Sequence, residues 1–184
     1  LCLLALLVLI NFNKFTIILA FCSMPLAFTY PFMKRLTYWP QLFLGITFNY
    51  GLILGWTSIT GKVDIIPIIF YIGAIFWTLG YDTIYGFQDI KDDEIIGLKS
   101  TSIKFKQKAK LFLSICYLTL IFSLLIGGSL MDFNLIYFFF LCFSLMHLFL
   151  YQIRKFKTDN SRICLQLFKS NNFLGFMIFG NILL

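Results

Sequence analysis

Charged residues are scarce in this sequence of 184 residues: they make up 12%, against 60% hydrophobic and 20% aromatic residues. Soluble domains usually carry about twice that charged fraction and a smaller apolar fraction. The scarcity of charge therefore excludes an ordinary soluble domain and predicts a chain that uses lipid as its solvent.

Cysteine and histidine patterns typical of a zinc site or a disulfide framework are also missing. The five cysteines are odd in number and show no CxxC spacing, and the sequence has one histidine, His147. We interpret the cysteines as small core residues. A packed or interfacial role is the simpler interpretation of His147, and a general base is the alternative.

No initiator methionine and no basic leader precede the opening run LCLLALLVLI, so this run does not match a signal peptide. We interpret it as the second half of an interrupted helix and expect a truncated sequence. No linker or second domain is visible, and residues 1–184 are predicted to form a single transmembrane domain without its N-terminal helices.

Charge-free runs predict an all-α, polytopic transmembrane helix bundle, because a spanning helix needs about 20 mostly apolar residues. Seven spans are predicted, of which the first is partial: 1–10, 15–30, 41–58, 65–81, 111–128, 133–151 and 170–184.

Basic residues test this topology independently. Thirteen of the 15 Lys and Arg lie in the predicted loops 31–40, 82–110 and 152–169, and the other two are Lys14 and Lys62. This asymmetry predicts that the three loops face the cytoplasm or its equivalent. The net charge of +7 is explained by the loops, so no nucleic-acid partner is expected.

Five of the eight acidic residues lie in one stretch, YDTIYGFQDIKDDEIIGLKST at 81–101, directly after a predicted span. On a continuous helix Asp82, Asp89 and Asp93 would fall within about 40° of one another. Mg²⁺ takes one or two carboxylates and completes its shell with water and phosphate oxygens, so a magnesium-bound diphosphate suits this cluster. A solvated charged loop is the alternative interpretation.

The same stretch resembles the second aspartate motif of the UbiA-type membrane prenyltransferases, in the branch that prenylates 4-hydroxybenzoate on the way to ubiquinone. The upstream segment YPFMKRLTYWPQLFLGITFNYGLILGW, residues 30–56, is similar to that family's segment with Tyr-x-x-x-Lys, and SNNFLGF near the end also fits. The resemblance extends over essentially the whole chain.

The resemblance implies a bundle of nine transmembrane helices, with two aspartate motifs that hold Mg²⁺ and a polyprenyl diphosphate. Carried over to this sequence, Asp89 and Asp93 are the expected magnesium ligands, and Asp82 and Asp92 assist them. Tyr30 and Lys34 match the Tyr-x-x-x-Lys pair, in which the lysine binds diphosphate and the tyrosine lies near the allylic carbon. Further substrate contacts are expected from these residues: Arg35 and Lys99 with phosphate, and Asn49 and Asn172 as lining of the cavity.

The implied reaction is Mg²⁺-dependent transfer of the prenyl group to the ring of 4-hydroxybenzoate, in a bacterial or mitochondrial inner membrane. Other acceptors within the family are an alternative, and so is a membrane transporter or structural subunit. The family's first motif, of the form Asn-Asp-x-x-Asp-x-x-x-Asp, is absent from the sequence. We therefore expect the isolated chain to be inactive. Its oligomeric state and donor length are not indicated by the sequence.

Overall fold

The computed structural model describes residues 2–183, and across these residues the chain is helical, with no strand, as the all-α prediction requires. A 3₁₀ turn, Tyr30–Phe32, lies between α2 and α3, another, Lys106–Lys108, lies between α8 and α9, and a π-helical segment, His147–Ile153, extends α10. The α-helices are α1 (Cys2–Leu9), α2 (Lys14–Thr29), α3 (Met33–Leu36), α4 (Pro40–Phe48), α5 (Tyr50–Thr60), α6 (Ile65–Gly86), α7 (Ile90–Ile96), α8 (Thr101–Lys104), α9 (Ala109–Leu130), α10 (Leu135–Met146) and α11 (Ser161–Ile182).

Five helical stretches within residues 2–183 are long and apolar enough to cross a membrane: Lys14–Leu36, Pro40–Thr60, Ile65–Gly86, Lys106–Leu130 and Leu135–Ile153. The predicted spans 1–10 and 170–184 correspond to α1 and to the second half of α11, although Leu1 and Leu184 lie outside the described residues. The count of seven spans stays a prediction.

Two of the spanning stretches are interrupted where the sequence disfavours a regular helix. Pro31 lies in the 3₁₀ turn that joins α2 to α3. Asn49 separates α4 from α5, and its amide nitrogen donates to the carbonyls of Gly45 at 2.8 Å and Ala74 at 3.2 Å. The second interruption places the amide of Asn49 against α6, where a continuous apolar helix would offer no polar side chain.

The centre of the bundle is the contact between α6 and α9. The two helices approach closely because α6 has glycines at the contact. A Cβ atom on Gly73 would lie 2.6 Å from Ser123 Cβ, and one on Gly80 would lie 2.7 Å from the Tyr117 ring. Small residues let helix backbones approach in this way. The sequence also has Gly51 and Gly55 in α5, but both face open space in the structure.

The segment between α6 and α9 folds back onto the bundle through a buried polar cluster. Thr101 N–H donates to Gln41 Oε1 at 3.0 Å, and Ser102 Oγ donates to the Thr83 carbonyl at 2.8 Å. The Thr83 and Thr101 hydroxyls are 2.6 Å apart. These bonds fix α8 against α4 and α6.

The three basic loops meet at one end of the molecule. The backbone N–H of Lys99 donates to the Lys34 carbonyl at 2.8 Å, which joins the first loop to the second. The Phe87 and Phe156 rings, 5.2 Å apart, join the second loop to the third. At the other end Asn13 caps α2 and donates to the Thr57 carbonyl at 2.8 Å. Basic residues are therefore segregated to one end of the bundle.

His147 packs inside the bundle. Its ring stacks on Tyr151 at 5.2 Å between centroids, and Nε2 lies 3.3 Å from Ser170 Oγ and from Gln152 Nε2. The histidine therefore bridges the π-helical segment to α11.

Candidate active site

The acidic stretch is not one continuous helix, which corrects the geometry expected from the sequence. α6 ends at Gly86 and α7 begins at Ile90, with Asp89 as the residue before the first turn of α7. Asp82 belongs to α6 and Asp93 to α7, so the common helical face predicted for the three carboxylates does not exist.

The chain nevertheless brings these three carboxylates together by turning between α6 and α7. They line a cavity of about 290 Å³, which we call the acidic cavity. Its lining consists of Tyr30, Pro31, Lys34, Pro40, Gln41, Leu44, Asp82, Tyr85, Gly86, Asp89 and Asp93. The tyrosine and lysine of the Tyr-x-x-x-Lys segment therefore lie in the same cavity as Asp82, Asp89 and Asp93.

Lys34 supplies the positive charge of the acidic cavity. Its ammonium group is 3.9 Å from a carboxylate oxygen of Asp93, and the lysine side chain is about half exposed while that of Asp93 is 10% exposed. An ion pair of this length and exposure contributes little to stability. The lysine is therefore available to an anionic ligand.

Lys99 lies outside the lining but holds the segment that carries Lys34. Its backbone N–H donates to the Lys34 carbonyl, and its ammonium group donates to the Leu36 carbonyl at 3.2 Å. These two bonds fix α3 over the cavity. The structure thus gives Lys99 a contact with the Lys34 segment instead of a place in the cavity.

The carboxylates of the acidic cavity suit a magnesium ion that is shared with a ligand. Among residues 2–183, no group of three or more His, Cys, Asp or Glu side chains is close enough to hold a metal on its own. Mg²⁺ commonly takes only one or two protein carboxylates and fills its shell with water and phosphate oxygens. Asp82, Asp89 and Asp93 beside Lys34 fit this mode of binding, which needs a phosphate-bearing partner.

Besides Lys99, two further residues expected at the site from the resemblance lie outside the acidic cavity. Asp92 and Arg35 are both exposed, and neither belongs to the lining. Conversely, Gln41 and Tyr85 line the cavity although neither is predicted as a site residue from the sequence. A polar residue one position after the start of an apolar span, as in Gln41, is the signal that could have drawn attention to it.

A second cavity, of about 310 Å³, follows the acidic cavity along the bundle, and we call it the amide cavity. Asn49 and Asn172 both line it, together with Phe48, Trp77, Thr78, Tyr81, Phe168, Asn171 and Gly175. Asn49 donates to Thr78 Oγ1 at 2.8 Å. Asn172 is exposed and forms no side-chain hydrogen bond within residues 2–183, so its amide is free to bind a ligand.

One face of α6 connects the two cavities. Thr78 lines the amide cavity and Asp82, one turn later, lines the acidic cavity. Residues four apart lie on the same helical face and about 6 Å apart along the axis. α4 shows the same succession, with Leu44 in the acidic cavity and Phe48 in the amide cavity. A ligand with an anionic head and an apolar remainder could therefore occupy both.

Spanning helices and a cavity lined by carboxylates and a lysine define a class of multi-pass membrane protein with a charged site inside its helix bundle. Residues 1–179 match the sequence pattern of the UbiA prenyltransferase family, and the chain belongs to this family. A solved structure described as "Apo structure of a UbiA homolog from Aeropyrum pernix K1" superposes with a TM-score of 0.74 at 18% identity, over 95% of this chain and 66% of that one. That likeness supports the fold.

Curated relatives are closer in sequence. The chain is 41% identical over 182 residues to the mitochondrial 4-hydroxybenzoate polyprenyltransferase of Bos taurus, covering 98% of this chain and 49% of that protein. It is 40% identical over 179 residues to 4-hydroxybenzoate geranyltransferase 2 of Lithospermum erythrorhizon, covering 96% of this chain and 58% of that protein. The chain thus spans about half the length of the curated relatives that it matches.

Proposed function

We propose that the protein containing this chain transfers a polyprenyl group from polyprenyl diphosphate to the ring of 4-hydroxybenzoate, with Mg²⁺, as a step of ubiquinone biosynthesis. The observation that carries the proposal is the acidic cavity, in which three carboxylates and Lys34 adjoin the aromatic and amide lining of the amide cavity. The names of the curated relatives support the acceptor, and the mitochondrial polyprenyltransferases among them support a mitochondrial location.

The diphosphate head binds in the acidic cavity. Asp89 and Asp93, helped by Asp82, would hold Mg²⁺ there, and the ion would supply positive charge against the negative charge that grows on the diphosphate as it leaves. Lys34, on α3, contacts the diphosphate from another part of the lining and stabilises the same charge. Placing these groups before the reaction begins lowers its barrier, because they do not have to reorganise.

Carbon–carbon bond formation takes place where the two cavities meet. The allylic C–O bond breaks and its electron pair leaves with the diphosphate, so the allylic carbon becomes electron-deficient. Tyr30 and Tyr85 line the acidic cavity and Tyr81 lines the amide cavity, and their ring faces can stabilise such a cation.

The acceptor ring attacks the allylic carbon through the position ortho to its phenol oxygen. A C–C bond forms, and loss of the ring proton at that carbon restores aromaticity. Asn49 and Asn172 supply amide groups in the amide cavity for the polar substituents of the acceptor. The surrounding apolar side chains exclude water, which would otherwise capture the cation.

Prenyl transfer in membranes tests this proposal. Membranes with the protein are supplied with 4-hydroxybenzoate, a prenyl diphosphate and Mg²⁺, and the product is identified by mass spectrometry. We expect Asp89→Asn and Asp93→Asn to lower the rate by about 100-fold or more, since each removes a carboxylate that holds the metal. Chelation of Mg²⁺ should abolish transfer by the wild type.

Asp159→Asn is the matched control, because Asp159 is an exposed aspartate in the third basic loop and outside both cavities. It should leave the rate unchanged. Mg²⁺-dependent transfer that survives in both Asp89→Asn and Asp93→Asn would refute the proposed metal site. Prenylation of a naphthoate or another phenol in preference to 4-hydroxybenzoate would refute the proposed acceptor.

A further inference from the structure

A third cavity lies beyond the amide cavity, and Trp77 separates the two. It has a volume of about 480 Å³, and we call it the apolar cavity. Its lining consists of Leu52, Gly55, Trp56, Pro67, Phe70, Ala74, Trp77, Leu120, Leu124, Met131, Phe133, Ile178 and Ile182. Among the described residues, Trp77 is the one that lines both the amide and the apolar cavity.

The indole of Trp77 is held in place by α11. Its Nε1 donates to Asn171 Oδ1 at 2.9 Å. One turn further along α11, Gly175 leaves room for the ring, since a Cβ atom on this glycine would lie 3.2 Å from Trp77 Cη2. The Tyr81 ring meets the indole edge-on at 5.9 Å between centroids. The ring is therefore held at its polar N–H and enclosed at its benzo end.

The hydrogen-bond acceptor of this indole is itself fixed by a buried network. Asn171 is buried and its Oδ1 also accepts from Gln152 Nε2 at 3.1 Å, while its amide nitrogen donates to the Leu167 carbonyl at 3.1 Å. Gln152 in turn accepts from the Tyr117 hydroxyl. Residues of four helical segments thus take part in fixing the position of one indole. Such a network indicates that the indole has one defined position between the cavities, unlike a side chain that only fills space in the core.

We propose that Trp77 sets the length of prenyl chain that the site prefers, an inference that rests on the proposed function. With the diphosphate in the acidic cavity, the first isoprene units occupy the amide cavity and meet the indole at its far end. A short chain ends there. A longer chain enters the apolar cavity only by displacing the indole, which breaks the bond to Asn171.

The chemistry of the occupant follows from the order of the three cavities along α6. The acidic cavity binds an anion, the amide cavity follows it along α6, and the apolar cavity comes next on the same helix through Ala74, Phe70 and Pro67. A molecule with an anionic head and a long hydrocarbon tail is the chemistry that matches this order.

Binding of prenyl diphosphates of three lengths tests the role of Trp77. Purified protein in nanodiscs is dialysed against radiolabelled geranyl, geranylgeranyl and octaprenyl diphosphate with Mg²⁺. We expect Trp77→Ala to raise the affinity for the octaprenyl compound relative to the geranyl compound by about tenfold, because the indole no longer closes the passage. Trp77→Phe should shift the ratio in the same direction and by less, since a smaller ring without the anchor remains.

Trp39→Ala controls for the loss of a large indole, because Trp39 packs on Phe105 and Phe112 and lines none of the three cavities. It should leave the ratio unchanged. An unchanged ratio in both Trp77 variants, with all three compounds still bound, would overturn the role of Trp77 alone. A wild type that binds none of the three diphosphates would overturn the proposed function and, with it, this inference.

Discussion

At the scale of residues, the acidic cavity combines charges of opposite sign that are not fully paired with one another. Lys34 lies 3.9 Å from Asp93, while Asp82 and Asp89 also line the cavity and have no ion pair within the described part of the chain. Uncompensated carboxylates repel one another, so they favour a bound cation. Under the proposed function, a bound Mg²⁺ would pair with these carboxylates and leave Lys34 to contact the diphosphate.

Lys34 and Lys99 should differ in how their loss affects catalysis. Lys34→Met removes a direct contact with diphosphate and should lower kcat/KM by about 100-fold. Lys99→Met removes the bond to the Leu36 carbonyl and the contact of the ammonium group with the Tyr38 ring, but it keeps the backbone bond to Lys34. KM for the donor should therefore rise about threefold with kcat nearly unchanged. Steady-state kinetics with varied donor measures both. Equal losses in kcat for the two variants would contradict the positioning role of Lys99.

Asp92 and Asp93 are neighbours in sequence that the fold separates. Asp93 is 7% exposed and lines the acidic cavity, whereas Asp92 points to the exposed side of α7. We expect Asp92→Asn to cost less than about fivefold in rate, far less than Asp93→Asn, since only Asp93 is placed to hold a metal. The same prenyl-transfer measurement compares the two. A loss in Asp92→Asn as large as in Asp93→Asn would restore Asp92 as a ligand.

At the scale of elements, α6 connects packing and chemistry. One side of the helix contacts α9 through Gly73 and Gly80, and another side carries Thr78 and Asp82 into the two polar cavities. Because the glycines let α9 approach, the position of α6 and hence of its cavity-lining residues is fixed by close packing.

A methyl group at the α6–α9 contact should therefore destabilise the bundle. Gly73→Ala places a Cβ atom 2.6 Å from Ser123 Cβ, and such overpacking typically costs about 1–3 kcal/mol. Gly51→Ala is the control, since nothing lies within 4 Å of its Cβ position. Thermal unfolding in detergent should show a lower Tm for Gly73→Ala alone. A lower Tm for the Gly51 variant as well would indicate that helix propensity or lipid contact dominates.

At the scale of the whole molecule, the segregation of basic loops gives the bundle a polarity. The acidic cavity opens at the end where these loops meet, as the contact between Lys99 and the Lys34 segment shows. The proposed site for the diphosphate therefore lies on the basic side of the protein, where positive potential would favour an anion.

This polarity predicts the orientation in the membrane. In a bacterial host, alkaline phosphatase fused after Lys62 should be active in the periplasm, while the same fusion after Lys157 should be inactive, because short basic loops stay in the cytoplasm. A fluorescent protein that folds only in the cytoplasm should give the opposite pattern at the two positions. Active phosphatase after Lys157 would reverse the proposed orientation.

The sequence by itself determined the fold class, the family and which loops form the basic end of the bundle. Hydrophobic runs and the distribution of Lys and Arg are local properties that need no contact to be recognised. The motif around Asp89 and Asp93 and the segment from Tyr30 to Lys34 likewise stand in the sequence as continuous stretches.

Only the tertiary structure decided how these stretches meet. Helical periodicity placed Asp82, Asp89 and Asp93 on one face, but the break between Gly86 and Ile90 means that a turn in the chain brings them together. No sequence pattern distinguishes Trp77 from the other aromatic residues of the spans, because its partners Asn171 and Gly175 lie almost a hundred positions away. Contacts at such separations depend on how helices pack, and side-chain packing leaves no periodic trace in sequence.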